Sequence, residues 1–264
     1  MSKNTPQYVY HYTSMSTLLH LIDFENATNN NQTEPMLEFL ATDINALNDR
    51  TEYRAINQLI SKIKQSEMDL KFMNEISGFP FVLSFSTQSN SLPLWRSYAN
   101  FGHGICLKFD AKEIRNEIII PEQQKPYKWI RTGYCFYKET NEFKLLKNEI
   151  KDLYNDPLQD KFWNNMDKFN EFILESAFLK DKAYSYEDEW RVVILDKNYL
   201  FRPQSDSFAT CARVQIPLKC LKGICLGPCT IDYDKLTIEK WRRMYERTLS
   251  TDISITYSHL PYRN

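Results

Sequence analysis

Apolar positions along this chain change period several times, and each change marks an element. Residues 8–13, Tyr-Val-Tyr-His-Tyr-Thr, read as a first strand, and Ser14 or Ser16 is placed to cap a short helix through Leu18, Leu19, Leu21 and Ile22. The asparagine-rich stretch 26–35 reads as a polar loop. Spacings of three and four at Tyr53, Ile56, Leu59, Ile60 and Ile63 predict a helix within 49–76. A short apolar run at 81–86 predicts a buried strand, followed by a helical turn with Leu94, Trp95 and Tyr98 and a strand at 104–109. Further on, 128–137 reads as a strand and 141–179 as mostly helix, broken at Pro157. Strands follow at 187–195, 208–218 and 223–226, then a helix at 237–249 and a last strand at 252–257. Helical blocks interrupt the strands without alternating regularly with them, which predicts an α+β fold with a split or mixed, mainly antiparallel sheet flanked by helices. No linker-like stretch divides the chain, so 1–264 is expected to form one domain.

Composition narrows the function classes. Lys+Arg 33 against Asp+Glu 34 gives a net charge of -1, so no global attraction to nucleic acid or anionic membrane is expected, although a local basic groove is compatible with it. No apolar run is long enough to span a bilayer, and the polar start lacks the core of a signal peptide. A cytoplasmic protein without a membrane partner is expected, with six reduced cysteines. Cys220, Cys225 and Cys229 form the one close group, and no histidine neighbours them, so buried thiols are expected there rather than a metal. Among the six glycines neither a G-x-G-x-x-G nor a G-x-x-x-x-G-K-[ST] pattern occurs. Any nucleotide must then be held without a glycine-rich phosphate loop.

Four segments carry candidate chemistry. In 187–195, strand alternation places Glu187, Glu189 and Arg191 on one face and Asp188, Trp190, Val192 and Ile194 on the other. Two carboxylates some 6–7 Å apart along a strand, with an arginine beside them, suit acid/base work or stabilisation of a developing cation. The alternative is a solvated strand face with a cross-strand ion pair. His11 and Thr13 share a face, opposite Tyr10 and Tyr12; such a histidine serves either as a satisfied core residue or as a ligand for a ribose or phosphate. Ser84 and Ser86 share a third face, where hydroxyls orient a carboxylate or a sugar. Trp95 and Tyr98 lie three apart on one helical face, by default for packing, and Gly102 and Gly104 around His103 suggest a tight turn. Asp49 with Glu52 reads as a capping box at a helix start.

In order and spacing these segments resemble the family called domain of unknown function 2971. The resemblance rests on Tyr10 to Tyr12, Asn48-Asp49-x-x-Glu52, Ser84-x-Ser86, Trp95-x-x-Tyr98, Gly104 with Phe109-Asp110, and Tyr186-Glu187-x-Glu189-Trp190-Arg191. Lys180 precedes the last motif, and Gly227-Pro228 lies near the end; Tyr184 stands where a tryptophan is expected. A looser resemblance joins the His11 strand, the Ser84-x-Ser86 strand and Glu187-x-Glu189 to the three-part signature of ADP-ribosyltransferases, whose split sheet binds NAD without a glycine loop. That resemblance implies NAD as a substrate and no metal. His11 and Thr13 would then hold a ribose, and Ser84 and Ser86 would brace the catalytic strand. Tyr12, Trp95 or Tyr98 would stack on nicotinamide. Glu189 would stabilise the oxocarbenium-like transition state, and Glu187 would orient or deprotonate the acceptor. The implied protein is a toxin or phage-defence effector modifying a nucleic acid or protein acceptor. Two other readings stand beside it. One is a non-catalytic sensor or recognition module of a defence system with its own partner protein. The other is a metal-dependent nuclease or hydrolase using Asp49, Glu52, Glu187 and Glu189.

Overall fold

The computed structural model describes residues 4–21, 35–47, 78–121, 123, 127–137, 141, 144–145, 148, 166–203, 208–249 and 252–262. The expected helix within 49–76, Asp49, Glu52, Pro157 and nearly all of the polar loop at 26–35 lie outside them.

Among the described residues ten strands join one sheet: β1 (Tyr8–Thr13), β2 (Met36–Asp43), β3 (Phe79–Ser86), β4 (Ile105–Asp110) and β5 (Ile130–Tyr134) from the first half of the chain. β6 (Phe136–Tyr137) and β7 (Leu179–Lys180) form a separate parallel pair. β8 (Glu189–Asp196), β9 (Leu200–Pro203), β10 (Phe208–Pro217), β11 (Leu221–Leu226) and β12 (Ser254–Tyr257) complete the large sheet. Its main path runs β12-β11-β4-β1-β3-β2-β10-β9, with β8 and β5 branching from β3. Among the described residues of this sheet only the β11–β12 ladder is parallel, so the fold is α+β with a mainly antiparallel sheet. Among the described residues the α-helices are α1 (Met15–Leu21), α2 (Leu92–Tyr98), α3 (Ala111–Glu117), α4 (Met166–Ser176) and α5 (Asp232–Leu249). No helix of the described residues is long and apolar enough to cross a membrane.

β3 decides where the site forms. One edge of it pairs along its whole length with β8, from Phe79 opposite Asp196 to Ser86 opposite Glu189. The other edge meets two strands briefly: β2 at Val82 and Phe81, and β1 at Ser86 alone. Between these contacts Leu83, Ser84 and Phe85 have no ladder partner on that edge, and the sheet forks.

Apolar side chains cover both faces of the sheet. On one, Val9, Leu37, Phe39, Phe81, Leu83, Phe85, Trp190 and Val192 share a core with Leu18 and Leu21 of α1. On the other, Phe169, Phe172 and Ile173 of α4 pack on Val82, Val193 and Leu195. Every residue of β8 is buried, so Glu189 and Arg191 do not form a solvated face.

Three expectations change. Residues 36–43 form a strand that periodicity had not marked, and 200–203 add a short edge strand. More consequentially, β8 begins at Glu189, not Glu187. Lys182–Glu187 forms a 3-10 helix whose start is capped by the Asp181 side chain accepting from the Ala183 amide at 3.0 Å. Asp188 then takes the left-handed conformation, φ 41° and ψ 56°. Its carbonyl accepts from the Thr87 amide at 3.0 Å, and its carboxylate from the Thr87 hydroxyl. Glu187 and Glu189 therefore do not share a pleat face by alternation; a left-handed step turns one towards the other.

Candidate functional site

A cleft of about 510 Å³ opens at the fork. It is lined by Tyr10 to Thr13 of β1, Glu38 to Leu40 and Thr42 of β2, and Val82 to Ser86 of β3. Thr17, His20 and Leu21 of α1, Leu94 and Tyr98 of α2, Lys180, Tyr184, Glu187, Glu189, Arg191 and Arg202 complete the wall. Because strand partners share a face, the register puts Tyr10, Tyr12, Ser84, Ser86, Glu189 and Arg191 on one side of the sheet. His11 and Thr13 lie on the other, and they meet the first group where the sheet parts.

Four charges sit at the floor almost without solvent contact: Lys180 7%, Glu187 5%, Glu189 4% and Arg191 0% exposed. Lys180 Nζ donates to Glu187 Oε2 at 2.5 Å and also to Glu189 Oε2. Arg191 grips Glu189 from two nitrogens, Nε to Oε1 at 2.8 Å and Nη2 to Oε2 at 3.0 Å. Its third contact, Nη1 to the Ala177 carbonyl at 2.6 Å, anchors the guanidinium at the end of α4. Tyr98 Oη donates to Glu187 Oε1 at 2.7 Å, and the Glu189 amide donates to Tyr137 Oη at 3.1 Å.

Burial alone raises a carboxyl group's pKa, but here the charges of Arg191 and Lys180 and their hydrogen bonds outweigh it and hold Glu189 down to about 2. Glu189 is thus a permanent anion at neutral pH. Two cations balance two carboxylates, which is what makes so deep a charge cluster tolerable.

The serines act through the backbone as much as through their faces. Ser86 Oγ donates to the Glu187 carbonyl at 2.6 Å and accepts from the Gln88 amide at 3.0 Å, bracing the turn that delivers Glu187. The Ser84 carbonyl faces the fork and accepts from His11 Nδ1 at 3.0 Å. A carbonyl only accepts, so Nδ1 carries the proton and Nε2 keeps its lone pair. The ring packs edge-on against Phe39 and Phe85 at 5.4 and 5.7 Å, and its burial lowers the pKa, leaving it neutral near pH 7.

The aromatic assignments change. Trp95 is fully buried, lies edge-on to Tyr12 at 5.0 Å and donates Nε1 to Asn90 Oδ1 at 2.8 Å. It does not line the cleft, because α2 turns its large apolar ring into the core with Leu94 and Cys106. Tyr12 does line it, but its hydroxyl is bound by the Gln88 carbonyl and the Ser91 amide. Tyr98 is tied to Glu187. The half-buried rings that face the opening are Tyr10 and Tyr184, the latter 5.1 Å from Lys180 Nζ. Lys180 is the residue that periodicity missed, since it lies seven positions before Glu187 in another element. Its place beside the charged motif was the available signal. Among the described residues no group of three or more His, Cys, Asp or Glu stands close enough to hold a metal.

Residues 94–192 match the family model described as Protein of unknown function (DUF2971). No curated protein and no solved structure matches the chain. The DUF2971 stretch runs from Leu94 to Val192, so it contains Tyr98, Lys180, Glu187, Glu189 and Arg191. The fork residues His11, Ser84 and Ser86 lie before it. The charge cluster thus lies within the matched segment, while β1, α1, β2 and β3 before it and Arg202 after it line most of the rest of the cleft.

Proposed function

We propose that the cleft binds NAD and transfers its ADP-ribosyl group to a nucleic acid or protein acceptor, as a toxin or phage-defence effector would. One observation carries this reading: His11, Ser84 with Ser86, and Glu187 with Glu189, from three separate segments, converge on one cleft at a fork in the sheet. In the proposed reaction the bond between nicotinamide nitrogen and ribose carbon breaks, and its electron pair leaves with nicotinamide. The acceptor's nucleophile closes on the same carbon and releases its proton to Glu187. Glu189, ionised throughout, faces the positive charge that develops on the sugar. The His11 Nε2 lone pair accepts from a ribose hydroxyl, and Tyr10 or Tyr184 offers a ring for stacking.

Purified protein incubated with NAD and cell extract is expected to release nicotinamide, and Glu189→Gln to abolish the release. Equal release by both proteins, or none by wild type with nucleic acid and protein acceptors alike, removes the reading. A second reading draws on the balance of the cluster: four paired charges also serve a recognition module that binds a ligand without chemistry. It predicts saturable ligand binding by wild type with no turnover.

A further inference from the structure

Two carboxylates at the floor of a cleft attract a cationic ligand when they are unpaired; here each acid is already committed. Among the described residues three acidic side chains line the cleft: Glu38, Glu187 and Glu189. Glu38 faces Arg213 Nε at 3.9 Å. Glu189 is held at both oxygens by Arg191, and Lys180 Nζ reaches it as well. Glu187 takes Lys180 Nζ on Oε2 at 2.5 Å and Tyr98 Oη on Oε1 at 2.7 Å.

A further cation finds little hold on this floor. A guanidinium binds a carboxylate best through two parallel N–H donors, one to each oxygen, and neither floor carboxylate has both oxygens unoccupied. A cation that met a single oxygen of Glu187 would stand beside Lys180. The repulsion of Lys180 would then act over nearly the same distance as the attraction of Glu187, in surroundings that screen both weakly. Aromatic faces also hold cations, but Lys180 Nζ already stands 5.1 Å from the ring centre of Tyr184. An uncharged donor meets none of this opposition. Glu187 has about four lone-pair sites, and its donors are Lys180, Tyr98 and the Tyr186 hydroxyl, which leaves room for one incoming O–H or N–H.

We infer that the acceptor's reacting group is an uncharged O–H or N–H, and that Lys180 excludes the guanidinium of arginine and the ammonium of lysine. This rests on the ADP-ribosyl-transfer reading given above. The acceptor's lone pair forms the new bond to the ribose carbon as the bond to nicotinamide breaks and its electron pair leaves with nicotinamide. The acceptor's proton passes to the remaining lone pair of Glu187. Lys180 keeps its charge throughout and holds the place beside Glu187 that a cationic acceptor would need.

The test is cleavage of NAD by wild type and Lys180→Gln in water containing methanol, an uncharged acceptor, and agmatine, a guanidinium, with the products resolved by mass. Wild type is expected to yield ADP-ribose and its methyl glycoside, with little or no agmatine adduct. Lys180→Gln, assayed below its melting temperature, leaves two carboxylates facing one cation. Its agmatine share is expected to rise about tenfold or more, since one neighbouring charge changes such an equilibrium by roughly one to three powers of ten. An agmatine adduct from wild type at the level of the methyl glycoside overturns the inference while the ADP-ribosyl-transfer reading stands. A folded Lys180→Gln that cleaves NAD with no gain for agmatine overturns it too. If Lys180→Gln does not fold, the wild-type product ratio supports or overturns the inference by itself. If wild type cleaves no NAD with any acceptor, the inference and the reading fail together.

Discussion

Glu189 shows how much of this site depends on single charges. Its folded-state pKa lies below the ordinary carboxyl value, so its stabilising contribution is complete above about pH 5 and is lost as pH falls towards 2. A displacement of that size corresponds to about 3 kcal/mol. Acid titration of stability is expected to show this loss in wild type and a shallower one in Glu189→Gln, read by denaturant midpoints at each pH. Lys180 is the complementary case. Lys180→Met leaves two buried carboxylates with one cation, and breaking such a pair costs about 3–5 kcal/mol. A melting temperature lowered by roughly 10 °C is expected, since each kcal/mol is worth about 2–4 °C in a chain of this size. An unchanged melting temperature would mean that the cluster is not closed in solution.

At the scale of elements, the turn before β8 does what strand alternation was expected to do. Asp188 holds a left-handed conformation that aspartate tolerates and β-branched residues resist. Asp188→Gly relieves the backbone while losing the carboxylate contact to Thr87, so a change within about 1 kcal/mol is expected. Asp188→Val keeps the strain and loses the contact, for about 2 kcal/mol of destabilisation in denaturant melts. Gly104 marks another close approach: a Cβ there would collide with the Thr13 carbonyl oxygen and the Ala99 backbone. Gly104→Ala is expected to cost about 1–3 kcal/mol and to disturb β1, which carries His11. The glycine pair around His103 was legible as a tight turn. The left-handed step at Asp188 was not, because nothing in Tyr-Glu-Asp-Glu-Trp distinguishes a continuous strand from a helical turn that ends in one.

Over the whole molecule, the fork joins four regions far apart in the chain, and ligand binding should report on that assembly. At a ligand concentration one hundred times its dissociation constant, stabilisation is about 2.7 kcal/mol. NAD or ADP-ribose is therefore expected to raise the melting temperature by several degrees in wild type. The rise should shrink in His11→Ala, which removes the Nε2 acceptor and uncaps the Ser84 carbonyl. A full shift in that variant would place the ligand away from the fork.

Local pattern by itself determined the strands at 8–13, 81–86 and 104–109 and the order of the charged and hydroxyl motifs. Those features depend on side-chain period and turn chemistry over a few residues. It also singled out Glu187, Glu189 and Arg191 as a group. Tertiary structure alone decided that the group is buried and balanced by Lys180, that Trp95 belongs to the core, and that β1 and β2 part along β3. Each of these depends on which distant segment packs alongside, and burial, charge pairing and strand divergence are properties of neighbours that the chain brings together only on folding.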